Sequence, residues 1–195
     1  MELERFCVID VETTGLRPAT DRIVEIACAL VDGERVVGRW ATLVNPKMAI
    51  PPSATAVHGI TDEMVARAPD AESALQRAGR LCRGRVMAAH CAGFDLAFVG
   101  AAVAAEALCT MRLARALIPE APNHKNQTLR WFLGVDRVAG GGLRAHRALG
   151  DALVTAYILI ACRRRFRVRR PLESWERFVR GNALVPGEGT ASRSV

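Results

Sequence analysis

The sequence predicts a mixed α/β fold, a sheet covered by helices, and three observations carry that expectation. β-rich segments come first, at Phe6–Val11, Ile23–Val31 and Arg35–Val44. The second and third are joined by Asp32-Gly33, a hairpin signal, so the opening reads as an antiparallel meander. Further along, short apolar runs alternate with helical patterns, which adds strands to the sheet and helices to its faces.

In chain order, Phe6–Val11 is a short apolar run interrupted by Asp10; it meets Glu12 and the turn-forming Thr13-Thr14-Gly15. Asn45–Thr61, with Pro46, Pro51 and Pro52, reads as a long loop. Thr61 and Asp70 are N-cap residue types, and Asp70 opens an amphipathic helix through about Cys82. Val86–Ala89 is a buried strand, Asp95–Ala107 an Ala-rich helix, and Leu108-Cys109 a brief strand before a helix from Thr110. Gln127–Leu133 is helical and closes at Gly134; Gly140-Gly141-Gly142 is a flexible break. Arg147–Arg165 is the longest helical pattern. The domain is expected to occupy residues 1–170, with 171–195 holding a short helix, Leu172–Val179, and a Gly/Ser/Thr-rich tail, 181–195, expected to be disordered.

Composition excludes several classes. Of 195 residues, 50% are hydrophobic, so wholesale disorder is ruled out. No apolar run reaches the ~18–20 residues that a membrane span needs. The start, MELERFCVID, is acidic and enters a strand directly, unlike a signal peptide. Six cysteines without a C-x-x-C pair read as reduced thiols, neither a disulfide framework nor a zinc site, and a cytoplasmic location is expected. The formal charge is +7, split as −2 over residues 1–100 and +9 over 101–195. A basic half attracts polyanions, but charge alone does not make a nucleic-acid protein.

Three acidic anomalies are more informative. Asp10 and Glu12 sit two apart at the end of an apolar strand, so they point the same way. Either they cap an exposed strand end, or a divalent cation such as Mg²⁺ or Mn²⁺ compensates them. Asp95 closes His90-Cys91-Ala92-Gly93-Phe94-Asp95, where a buried strand turns into a helix; a plain N-cap would also explain it. Asp151 lies in an apolar helix face with His146 on its flexible approach. A His so placed can move protons near neutral pH; an i, i+4 pair between Arg147 and Asp151 is the plainer reading. Each plain reading is tolerable alone, but the joint pattern of four carboxylates and a His is specific.

These residues resemble the DEDD exonuclease superfamily, in its DnaQ-like branch with a histidine base, and within it the proofreading epsilon type. The motifs are Val8-Ile9-Asp10-Val11-Glu12-Thr13-Thr14-Gly15-Leu16, His90 through Asp95, and His146-Arg147-Ala148-Leu149-Gly150-Asp151, with Val57-His58-Gly59-Ile60-Thr61 between. The resemblance spans about Phe6 to Arg165 and implies a ribonuclease H-like fold, a five-stranded mixed sheet with helices on both faces. It implies 3′→5′ removal of nucleoside monophosphates with two divalent cations, Mg²⁺ or Mn²⁺. Asp10 is expected to bridge both, Glu12 and Asp151 to hold the one that binds the attacking water, and Asp95 to support the other. His146 is expected to take that water's proton. Cys91 departs from the family's usual Asn.

For substrate, the resemblance matches Thr13, Gly15 and Leu16 to positions that grip the 3′-terminal nucleotide, with His58 and Phe98 as further stackers. Leu16 and Phe98 read equally well as core, and His58 as a pin for its loop. Single-stranded DNA with a free 3′ end is the favoured substrate, since Glu12-Thr13-Thr14 lacks the Met usual in small oligoribonucleases; RNA stays the alternative, and a silent nuclease-fold binding module is the third reading. A DNA polymerase is a further expected partner. Arg163–Arg170 holds six arginines in eight residues, read as a solvated helix end at 163–165 and left open, as a phosphate track, at 167–170. Gln127–Phe132 faintly resembles a clamp-binding peptide, but a packed helix is the better reading.

Overall fold

The computed structural model describes residues 4–185. The expected meander forms as β1 (Arg5–Thr13), β2 (Ile23–Asp32) and β3 (Arg35–Leu43), all antiparallel. Residues 45–61 are not wholly loop. Pro51 and Pro52 stand at the cap and first turn of helix α1 (Pro52–His58), where proline's fixed φ and missing N–H cost nothing, and Gly59 closes it in the left-handed region. Thr61 and Asp70 do cap α2 (Asp62–Val65) and α3 (Ala71–Cys82), accepting from the Met64 and Ser73 N–H groups.

β4 (Val86–Ala89) then pairs parallel with β1. α4 (Ala92–Val99) is shorter than the expected Asp95–Ala107: Gly100, at positive φ, ends it in a single 3₁₀ turn. β5 (Ala107–Cys109) pairs parallel with β4, and α5 (Thr110–Leu117), α6 (Asn126–Phe132) and α7 (Val135–Ala139) follow. α8 (Ala148–Arg169) outruns its expected end at Arg165, and α9 is Trp175–Arg180 rather than Leu172–Val179.

Among the described residues the sheet has six strands rather than five, in the order β3-β2-β1-β4-β5-β6. The sixth, β6 (Ala183–Leu184), falls where a disordered tail is expected; it pairs antiparallel with β5 and buries Leu184. Trp175 and Val179 of α9 also join the core. The rest of the expected tail, 186–195, lies outside the described residues. Among the described residues no helix is long and apolar enough to cross a membrane.

Strand alternation sorts the two faces and so places the site. Cys7, Ile9 and Val11 of β1 pack with α3 and α4, whereas Phe6 and Val8 pack with α5 and α8. Asp10 and Glu12 continue the Phe6–Val8 row. They are therefore delivered, buried, to the α8 side at the end of the central strand.

Candidate active site

Asp10, Glu12 and Asp151 converge: one carboxylate oxygen from each lies within 4.8 Å of the others. Asp10 and Glu12 are 2% and 5% exposed, so neither merely caps an exposed strand end. Asp151 arrives from the first turn of α8. Its Oδ1 accepts from Gln127 Nε2 at 2.6 Å and its Oδ2 from the His146 backbone N–H at 2.8 Å. Asp95 is wholly buried inside α4, four residues after its N-cap Cys91, which removes the plain N-cap reading. Its Oδ1 accepts from the Val11 N–H at 3.2 Å, tying α4 to β1 between Asp10 and Glu12. Three carboxylates gathered without a sulfur or imidazole donor form a hard oxygen set, which fits Mg²⁺ or Mn²⁺ chemistry.

A cation inside the protein braces this cluster. Arg147 forms a bidentate pair with Glu25, at 3.0 Å from Nε and 2.6 Å from Nη2, rather than serving only its own helix. Glu25 is buried on β2 directly opposite Glu12, and it also accepts from the Ala148 N–H at 2.9 Å. That last bond caps α8, whose Arg147 N-cap supplies no side-chain acceptor. Glu25 holds the Arg147 guanidinium above its ordinary pKa, with Glu12 adding to the effect.

His146 is exposed and sits at φ 54°, in the left-handed region that a side chain seldom adopts. Its loop is held from both ends. Arg130 Nη2 donates to the Leu143 carbonyl at 2.8 Å while its Nε and Nη2 grip Asp136, and Arg130 Nη1 reaches Gln127 Oε1 at 3.2 Å. Gly150 lets the loop close: a Cβ there would lie 2.0 Å from the Arg144 carbonyl oxygen.

The expected substrate residues separate. Thr13 is buried, with Oγ1 donating to the Gly15 carbonyl at 2.6 Å. Gly15 passes so close to Asp21 that a Cβ would meet its carboxylate at 2.5 Å. Leu16 is 58% exposed, which removes its core reading. His58 is buried; its Nδ1 accepts from the Ile60 N–H at 3.0 Å, so it does pin its loop. Burial holds its pKa below the usual imidazole value, against the opposing pull of the Thr13 backbone and Glu25. Phe98 packs on Phe94, centroids 5.0 Å apart, and lines a 270 Å³ cavity with Pro18, Ile23 and Leu75.

A family model described as Exonuclease (RNase_T) matches residues 7–159. The chain belongs to that exonuclease family. It is 40% identical over 161 residues to a DNA polymerase III subunit epsilon-like protein of Rhodobacter capsulatus, covering 77% of this chain and 22% of that protein. It is 33% identical over 164 residues to the DNA polymerase III subunit epsilon of Treponema pallidum, covering 76% and 72%. The structure of Exonuclease X in complex with 5′ overhanging duplex DNA superposes with a TM-score of 0.65 at 31% identity, over 88% of this chain and 96% of that one. The fold is accordingly the ribonuclease H-like one of DnaQ-like exonucleases. The chain spans about a quarter or less of several of the curated relatives it matches, 11% to 26% of their length.

The bracing roles of Glu25, Gln127 and Arg130 are not apparent from local sequence. Glu25 had a signal, a lone carboxylate in an apolar strand, the same anomaly that marks Asp10. The clamp-peptide resemblance at Gln127–Phe132 does not survive, since Leu129 is fully buried in α6. Arg163–Arg170 is met by Glu4, Glu34, Glu120 and Glu173. It lies 12 to 19 positions beyond Asp151, or about 18–28 Å along the helix.

Proposed function

We propose that this exonuclease acts 3′→5′, releasing nucleoside monophosphates from single-stranded DNA, with His146 as general base. The convergence of Asp10, Glu12 and Asp151 within 4.8 Å, beside a His146 whose backbone docks on Asp151, supports the reading most directly. Asp10, Glu12, Asp95 and Asp151 would hold two divalent cations, Mg²⁺ or Mn²⁺, whose chemistry is neutralisation of the scissile phosphate and activation of the attacking water. His146 takes a proton from that water as its oxygen attacks phosphorus and the P–O3′ bond breaks; the leaving 3′ oxygen is protonated from solvent. Glu25 and Arg147 fix the start of α8, and Gln127 and Arg130 fix Asp151 and the His146 loop. Thr13, Gly15 and Leu16 form the lip that meets the terminal nucleotide, with Leu16 as its apolar surface; His58 and Phe98 act from behind it. Glu12-Thr13-Thr14, without the Met usual in small oligoribonucleases, and the related Exonuclease X structure, in complex with 5′ overhanging duplex DNA, support DNA over RNA. The polymerase III names of the relatives support a DNA polymerase as partner.

The test is digestion of end-labelled oligonucleotides, DNA against RNA, in Mg²⁺, Mn²⁺ or EDTA. Stepwise shortening from the 3′ end, abolished by EDTA and by Asp10→Ala, is expected. His146→Asn keeps a residue type tolerant of positive φ while removing the base, and should slow turnover about 10²–10⁴-fold. Cleavage in EDTA, or none in any condition, would refute the activity. A pH–rate profile unchanged in His146→Asn would remove the base, and faster digestion of RNA would reverse the substrate preference.

A further inference from the structure

The outer face of α6 exposes apolar side chains beside the carboxylate cluster. Gln127, which touches Asp151, is followed four residues later by Trp131, on the same stripe and about 6 Å farther along the axis. The Trp131 side chain is 75% exposed, with the Arg130 guanidinium 6.0 Å from its ring centroid. Phe132 and, on α7, Val138 are exposed as well. Leu129 already anchors α6 in the core, so packing does not require the indole.

The segment that carries the ring is basic in sequence. Residues 124–147 carry five Lys or Arg and one carboxylate, Asp136, for a net +4. Arg130 and Arg147 are occupied by Asp136 and Glu25, while Arg137 and Arg144 lie exposed. A flat aromatic surface set among cations matches a strand of stacked bases on an anionic backbone. An apolar protein partner would gain nothing from the cations.

We propose that the α6–α7 surface is a stacking platform for single-stranded nucleic acid, with Trp131 holding a base upstream of the terminal nucleotide. This rests on the exonuclease reading above, which brings a strand to the carboxylates. The platform offsets the repulsion that those carboxylates exert on phosphate and keeps the strand near the site between cleavage steps.

Binding tests it independently of cleavage. Anisotropy of a labelled oligothymidylate of about ten nucleotides is measured in EDTA for the whole chain and its variants. Trp131→Ala should weaken Kd about 5- to 150-fold with an unchanged Tm, and Trp131→Phe should recover most of the loss. Arg137→Gln and Arg144→Gln should each lower the slope of log Kd against log salt by about 0.7. Unchanged affinity in Trp131→Ala overturns the proposal; if that variant instead dissociates a dimer in ultracentrifugation, a second copy of the chain covers the face. If the wild type digests nothing yet Trp131→Ala weakens binding, the exonuclease reading fails and the platform stands. Digestion by the wild type with unaltered affinity in the variant removes the platform alone.

Discussion

Glu25→Ala should destabilise the fold and misplace the helix that carries Asp151 at once. The Glu25 carboxylate accepts three hydrogen bonds, two from Arg147 at 2.6 and 3.0 Å and one from the Ala148 N–H at 2.9 Å. Its side chain is 6% exposed and that of Arg147 25%. Removing one partner of a buried pair costs about 3–5 kcal/mol, and the partial exposure of Arg147 moves this case to about 3 kcal/mol. For a domain of this size that is a fall in Tm of about 6–12 °C. α8 also loses its cap, so Asp151 and His146 shift together, and a displacement near 1 Å costs about 100-fold in turnover. Thermal melts and single-turnover digestion at a temperature where the variant is folded read the two effects. A double-mutant cycle with Arg147→Ala isolates the pair, whose coupling should be about 2 kcal/mol. Tm within about 2 °C of wild type, or single losses that add within about 0.5 kcal/mol, would refute the reasoning.

Three further outcomes follow from the same geometry. Asp10→Asn should abolish digestion yet raise Tm in EDTA by about 2–4 °C, because a charge leaves a buried like-charge cluster; Mn²⁺ should stabilise wild type more than the variant in parallel melts. Gly150→Ala drives a Cβ against the Arg144 carbonyl oxygen at 2.0 Å, so urea unfolding should show a loss of about 1–3 kcal/mol and turnover should fall as the loop moves. Burial lowers the His58 pKa in the folded chain, so the unfolded chain binds more protons and stability falls as pH drops through the usual imidazole value near 6.5. His58→Gln should lose less stability than wild type between pH 7.5 and 5.5, measured by denaturant midpoint; equal losses would contradict a depressed His58.

What was legible in the sequence was encoded locally. Alternation along β1 separates Cys7, Ile9 and Val11 from Phe6, Val8, Asp10 and Glu12, and it points both carboxylates to one side before any partner is known. The caps at Thr61 and Asp70 need only a side chain and an N–H three residues on. What stayed hidden depends on register and topology. Glu25 meets Arg147 across 122 positions, and Gln127 meets Asp151 across 24, pairings that no local pattern encodes. β6 is two residues long, and its strand character comes from the edge of β5 rather than from its own composition. α1 was hidden by its prolines, which read as loop until Pro52 is placed in a first turn.

The same distinction relocates the basic excess. By count the densest positive stretch is Arg163–Arg170, the place where sequence alone would send a polyanion first. Glu4, Glu34, Glu120 and Glu173 largely occupy it, so the run works as a brace between the end of α8 and the far edge of the fold. Charges already paired at close range contribute little field beyond a Debye length of about 8–10 Å, and this run begins about 18 Å from Asp151. Residues 124–147 carry fewer cations but nearer ones; Arg130 is paired with Asp136 and Arg147 with Glu25, which leaves Arg137 and Arg144 exposed. On the proposed function, attraction of a phosphate chain to this centre therefore rests on the exposed Arg137 and Arg144, not on the arginine count. Neutralising Arg137 and Arg144 should slow association with a single strand at low salt more than neutralising Arg167 and Arg169, as stopped-flow rates would show. The opposite order would return the phosphate track to the end of α8.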